Sequence, residues 1–150
     1  MAESKRFHCK VVTPDAKILD EDVSYASIPA WDGLIGVLPN RAPMVAKLGL
    51  GELRLEFPDK TGGRGGSRAY LVDGGFVKVA QNKVSILASY AVPVEQLTES
   101  DASAEVKELE ARQVPADQDN RDQELQRLSK ERARANRKLE LAKKYKGQAI

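Results

Sequence analysis

A chain of 150 residues with 41% hydrophobic and 31% charged side chains has room for one ordinary domain, or for a small domain with an appendage. A formal net charge of +2 does not mark the whole molecule as a polyanion binder, and a single cysteine, Cys9, excludes an intramolecular disulfide. No run approaches the roughly 18 apolar residues of a membrane span, so any membrane association is expected to pass through a partner.

The first residues, Met1 to Arg6, lead into Phe7 without the apolar stretch of a secretory signal. From Phe7 to about Ala91 the pattern is that of strands. Short apolar or alternating runs occur at Val11-Val12, Ile18-Leu19, Val23 to Ile28, Leu34 to Leu38, Leu53 to Phe57, Tyr70 to Val72, Phe76 to Val79 and Val84 to Ala88. Turns are expected at Pro14-Asp15, Asp32-Gly33, Pro39-Asn40, Gly49 to Gly51, Asp73-Gly74-Gly75 and Gln81-Asn82. Many short strands with regular turns suggest a sandwich or a barrel. The glycine-rich stretch between Phe57 and Arg68 lacks the Gly-Lys-Ser/Thr ending of a phosphate loop and reads as a hairpin tip.

After Pro93 the period changes. Thr98 to Asp101 has the shape of a capping box, and Ala102, Val106 and Leu109 then share one helical face. Pro115 stops this helix. Asn120 and Gln123 can cap a second one, with Leu125, Leu128, Ala135, Leu139 and Ala142 at helical spacing and Gly147 as its exit. A helix from Arg121 to Lys146 would be about 39 Å long, and two helices with a short link form an antiparallel hairpin. Its apolar stripe is thin and Arg132 interrupts it, which implies weak docking.

Charge is segregated along these helices. Arg127, Lys130, Arg132, Arg134, Arg137, Lys138, Lys143, Lys144 and Lys146 face only Glu131 and Glu140 in the same stretch, whereas the first helix and the linker are rich in Asp and Glu. Two readings stay open: mutual attraction of solvated helices, or a basic helix that meets an acidic partner. Nucleic acid is a weaker match, since Tyr145 is the one aromatic nearby. No catalytic constellation emerges. His8 and Cys9 are neighbours whose side chains would leave a strand on opposite faces, and one of each cannot close a zinc site. Trp31, in a turn, suits an interface anchor or a packing role at the core rim.

Asp32-Gly33-Leu34-Ile35-Gly36-Val37-Leu38-Pro39-Asn40-Arg41-Ala42-Pro43 resembles the signature of the epsilon subunits of rotary F-type ATP synthases. Tyr70 to Val79 followed by Asn82 to Ala88 looks like the second signature of that family, and Phe7 to Leu19 fits its opening strand pair. The resemblance is specific over the first 91 residues and looser in the helices. It implies an α+β fold, an N-terminal antiparallel β-sandwich (residues 1–91) followed by a C-terminal two-helix antiparallel hairpin (residues 92–150). It also implies a non-catalytic rotor subunit at the central stalk, coupling the gamma subunit to the c-ring for proton-driven ATP synthesis.

Carried over residue by residue, Thr13, Pro39, Asn40, Arg41, Ala42 and Pro43 would face gamma, and Trp31, Asp32, Gly33 and Leu34 would meet the c-ring loops. Arg127, Lys130, Arg132, Arg134, Arg137 and Lys138 would form a regulatory basic helix that reaches the alpha and beta subunits transiently and restrains ATP hydrolysis. Two departures stand out: Asn40 replaces a common glycine, which asparagine's tolerance of left-handed backbone permits, and Leu34 replaces a usually polar residue. Some relatives hold ATP between the helices, but the matching stretch has Thr98 and Asp101 where an acid and an arginine belong. No cofactor is therefore expected, no nucleic acid partner, and a peripheral place on the cytoplasmic face of a bacterial inner membrane. The rival readings are a free-standing regulatory module with a nucleic-acid-binding helix, and a small sandwich enzyme.

Overall fold

The computed structural model describes residues 6–59 and 65–146. Among these, eight strands run in chain order: β1 (Phe7–Val12), β2 (Lys17–Val23), β3 (Tyr25–Ala30), β4 (Gly33–Val37), β5 (Met44–Lys47), β6 (Leu50–Glu56), β7 (Ser67–Ala80) and β8 (Lys83–Pro93). A 3-10 turn, Val94–Gln96, and two helices, α1 (Glu99–Ala111) and α2 (Arg121–Lys144), follow. The chain divides into two compact units, residues 1–93 and 94–150.

In the first unit the strands hydrogen-bond in the order β2-β1-β8-β7-β6-β3-β4. One edge of β7 pairs with β8; the other pairs with β6 from Ser67 to Asp73 and with β5 from Phe76 to Val79. This change of partner splits one sheet into two layers. Inward residues from both layers, among them Val11, Val23, Ile28, Leu53, Val77 and Ile86, close a single apolar core. Pairing is antiparallel except between β1 and β8, which lie parallel with His8 beside Lys83 and Val12 beside Leu87. The α+β sandwich expected from the sequence is therefore present, with one parallel seam. Alternation locates the core face: Leu53 and Leu55 are buried while Arg54 and Glu56 are exposed. Cys9 belongs to this core, and burial pushes its thiol up to about 12, which makes it a packing residue.

Three local expectations are corrected. Asp73-Gly74-Gly75 is not a turn; β7 passes through it as one strand of 14 residues. Gly74 and Gly75 take φ of 75° and 110°, and a Cβ on Gly75 would lie 2.0 Å from the Leu87 carbonyl oxygen. The glycines let the strand bend against β8 without leaving it. The run Val23 to Ile28 breaks at Ser24, whose N–H and hydroxyl both donate to the Glu56 carbonyl, so two strands stand where one was expected. β5, after Pro43, was not foreseen. The glycine-rich tip falls largely outside the described residues.

In the second unit the Thr98 hydroxyl accepts from the Asp101 N–H at 3.2 Å, which caps α1 as its sequence suggests. Asn120 does not cap α2 through its side chain; Gln118 Nε2 donates to its Oδ1 instead. Ion pairs span the antiparallel helices, with Lys146 on Glu99, Lys138 on Glu105 and Arg112 on Glu131. Val106, Leu109, Leu128 and Ala135 form the apolar seam, with Val114 and Leu139 packed against it. Leu141 is buried as well, although its spacing did not single it out. The exit expected at Gly147 lies outside the described residues.

The glycine bend yields a graded test. Gly75→Ala forces the Leu87 carbonyl aside as well as straining φ, a cost on the order of 3 kcal/mol. Gly74→Ala meets only ordinary contacts with Ser89 at 3.5 Å and strains φ alone, at roughly 1 kcal/mol. Urea unfolding followed by circular dichroism separates the two; equal losses would show that collision with Leu87 is unimportant.

Candidate functional site

The segment from Leu38 to Pro43 links β4 to β5 and is exposed except at Pro39. Pro39 and Pro43 exclude helix, and Asn40 takes φ of 64°, the left-handed conformation anticipated for it. Side chains tie the turn down. Asn40 N–H donates to Asn82 Oδ1 at 2.7 Å, and Arg41 donates from its terminal nitrogen to the Gly36 carbonyl at 2.9 Å. Arg41 Nε also reaches Met44 Sδ at 3.3 Å. The turn is a fixed, solvent-facing feature.

Trp31 and Asp32 form the two-residue loop between β3 and β4, where Ala30 pairs with Gly33. Trp31 and Leu34 are each 71% exposed, so the tryptophan is not a rim packing residue. The base of this tip is held by Trp31 N–H to the Lys47 carbonyl at 3.0 Å and Gly49 N–H to the Pro29 carbonyl at 3.0 Å. Gly49 is needed there, because a Cβ would sit 2.8 Å from the Ala30 carbonyl oxygen. Two exposed apolar side chains on a rigid hairpin suit a contact surface.

The tip precedes β4 and the turn follows it, so they stand at opposite ends of a five-residue strand, about 17 Å apart along the backbone. β5 leads back from the turn to Lys47 at the base of the tip. Thr13 is fastened to Ala16 in the link from β1 to β2. The register Val12–Leu87–Phe76–Lys47 puts Thr13 at the end of β1 nearer the tip, while Arg6, which touches Asn82, lies at the other end. Thr13 and the turn are therefore not brought together directly. They are joined along one outer sheet face, where Val45, Phe76 and Leu87 are exposed. These three were missed in the sequence, though alternation with buried Val77 and Ile86 is the signal for Phe76 and Leu87.

The basic residues of α2 separate into two groups. Arg132 is turned toward α1: Nε donates to the Leu109 carbonyl at 2.9 Å and a terminal nitrogen to the Arg112 carbonyl at 2.9 Å. It thereby occupies carbonyls that the end of α1 leaves unpaired. Lys138 is likewise held at Glu105. Arg134 lines an open groove between the helices with Glu105, Glu108, Leu109, Arg112 and Glu131. Three carboxylates against two guanidinium groups make a poor seat for a polyphosphate. Arg127, Lys130 and Arg137 are exposed, with Arg127 and Arg137 in local pairs to Glu131 and Glu140.

Among the described residues no three His, Cys, Asp or Glu groups are disposed to hold a metal, and no helix is long and apolar enough to cross a membrane. His8 sits between two carboxylates of β2, with Nδ1 3.0 Å from Asp22 and Nε2 against Asp20. The Asp22 and then the Asp20 hydrogen bonds raise its pKa, and the His8 and Lys17 contacts lower that of Asp20. Both ring nitrogens are engaged, so the group clamps β1 to β2 and offers no free base.

The clamp has a defined pH signature. A raised folded pKa means its contribution is complete below about pH 6.5, the unfolded value, and is lost as pH rises through the higher folded value. At the acid end the contribution of Asp20 is present above 3.8 and disappears as pH falls through its lowered pKa. Calorimetric melting of the wild type against His8→Gln should show a difference that narrows above pH 6.5; a constant difference would refute the clamp. For the hairpin, Arg132→Gln should cost on the order of 2 kcal/mol and speed amide exchange in both helices, because it unpairs carbonyls at the α1 end. Lys130→Gln, on an exposed position, should leave exchange unchanged.

The comparisons agree on one family. Residues 6–94 match the profile of the ATP synthase delta/epsilon chain beta-sandwich domain. The ATP synthase epsilon chain of Rhodopirellula baltica is 38% identical over 100 residues, covering 67% of this chain and 73% of that one. That of Pelotomaculum thermopropionicum is 37% identical over 103 residues, 69% of this chain and 72% of its own. A chain in the Euglena gracilis mitochondrial ATP synthase, solved as OSCP/F1/c-ring in rotational state 1, superposes with a TM-score of 0.67. That superposition has 21% identity and covers 99% of this chain and 84% of the other, a likeness of fold. With its sandwich inside the family profile and its relatives matched over two-thirds of its length, the chain belongs to the ATP synthase epsilon-chain family.

Proposed function

We propose that the chain is a non-catalytic central-stalk subunit of an F-type ATP synthase, coupling gamma to the c-ring during proton-driven ATP synthesis. The observation that supports this reading best is the placement of two fixed, exposed loops at opposite ends of β4. In this reading Pro39 to Pro43 meets gamma, and Trp31 to Leu34 meets the c-ring loops through a more apolar contact than a polar residue at position 34 would make. Gamma runs along the face of Val45, Phe76 and Leu87, which is how Thr13 can join the same interface. The complex lies at the cytoplasmic face of a bacterial inner membrane, and the chain touches the membrane only through it.

The second unit is the regulatory part of this reading. Arg127, Lys130, Arg137, Lys143 and Lys144 are exposed, and in this reading they meet acidic loops of the alpha and beta subunits. Arg132 and Lys138 serve instead to hold the two helices together. A charge contact that becomes partly buried on docking counts for more than an exposed pair.

Reconstitution tests both parts. Replacing Pro39-Asn40-Arg41 with Gly-Ser-Gly should weaken binding to gamma roughly tenfold with the sandwich still folded, the cost of ordering a loosened turn. Truncation before Thr98 should raise ATP hydrolysis by the assembled enzyme while assembly is retained. Unchanged gamma affinity sinks the coupling assignment, and an unchanged hydrolysis rate sinks the restraint.

A further inference from the structure

The β7–β8 connection is a two-residue hairpin loop. Ala80 pairs with Lys83, and Gln81 and Asn82 take φ of 51° and 59°. Loops of this type are closed as readily by glycine as by asparagine at the second position, so backbone geometry does not require asparagine there. What Asn82 adds is its amide. Oδ1 accepts from Asn40 N–H at 2.7 Å, and Nδ2 donates to the Arg6 carbonyl at 3.0 Å. Its own carbonyl accepts from His8 N–H at 3.2 Å. One side chain thus joins the β7–β8 loop to the start of β1 and to the turn after β4, segments 76 and 42 residues away in the chain.

We propose that Asn82 is the positioning residue of the gamma contact: it touches no partner itself but holds the Asn40 backbone, and so the angle at which Pro39 to Pro43 is presented. This rests on the reading of that turn as facing gamma. Asn40 sits at φ of 64° between two prolines, on a segment with no ladder of its own. Its N–H points at a side chain fixed by a tight loop, which converts a surface turn into a preorganised one. Preorganisation raises affinity by lowering the ordering cost of association. Because Asn40 is exposed, losing the bond loosens the turn without opening the core.

The test uses the full chain with purified gamma. Asn82→Gly keeps the loop conformation and removes the amide. Asn82→Asp keeps an acceptor for Asn40 and removes the donor to Arg6. Titration calorimetry should show gamma affinity lowered roughly tenfold in Asn82→Gly and within about threefold of wild type in Asn82→Asp. Amide exchange at Asn40, read by NMR on the free chain, should quicken in Asn82→Gly and stay slow in Asn82→Asp, a split that general destabilisation would not produce. Wild-type affinity in Asn82→Gly overturns the proposal, and so does equal weakening in both variants, which would move the role to Arg6. A wild-type chain that fails to bind gamma overturns the reading of the turn together with the proposal.

Discussion

The close approach of Gly75 to the Leu87 carbonyl governs the sandwich. β7 can stay paired with β8 on one edge while exchanging β6 for β5 on the other only if its backbone bends between Asp73 and Phe76. A side chain at Gly75 would collide with β8 at that point. The bend brings β5 alongside the second half of β7, and β5 is the strand that connects the turn after Pro39 to the base of the Trp31 tip. Without the exchange of partners, the segment from Pro39 to Lys47 would have no sheet to anchor it. The positions of both proposed contact loops are thus consequences of one backbone constraint some distance from either.

The hairpin follows a different principle. Its apolar seam consists of few residues, and the cross-helix ion pairs are largely exposed, worth about 0–1 kcal/mol each. Arg132 contributes specificity that these do not. A guanidinium fork aimed at the carbonyls ending α1 fixes both the register and the antiparallel sense, because those carbonyls exist at one place only. The sequence left two explanations for the segregated charge, internal attraction or an external acidic partner. The structure supports internal attraction for Arg132 and Lys138, which turn to α1, whereas Arg127, Lys130 and Arg137 are exposed, with Arg127 and Arg137 in local pairs to Glu131 and Glu140.

Much of the fold was legible where the signal is local. Strict alternation marked β6, the Thr98 box marked the start of α1, and Pro115 marked the break that follows it. The misreadings have a common physical origin. Asp73-Gly74-Gly75 has the composition of a turn, and only the presence of β8 beside it makes a bend within a strand the better solution. β5 has four residues and little alternation of character, so its strand identity comes from β7. Asn120 is a good cap by type, but its oxygen turns to the Gln118 amide and accepts no bond from the α2 backbone. At the candidate site, Pro39 to Pro43 was visible through its prolines. The dependence of that turn on Asn82 was not, since a hydrogen bond across 42 residues leaves no periodic trace.

The geometry also bears on how a contact at one end could be felt at the other. Tip and turn are joined by β4 and, in the return direction, by β5, both extended and both held in the sheet at several residues. Extended backbone resists further lengthening, because its reach is already near the covalent limit of the chain. A pull applied at the turn therefore reaches the tip without first straightening slack. Sideways displacement is opposed by the ladder bonds to β3 and β7. The compliant elements in such a path are the loops themselves, and here they are stiffened by Asn82 and Arg41 at one end and by the Lys47 and Pro29 carbonyls at the other. A subunit that only tethered two partners would have no need of this. In a coupling subunit, slack at either end would be taken up before any load passed, so rigidity at the loop ends is the property that the role would demand.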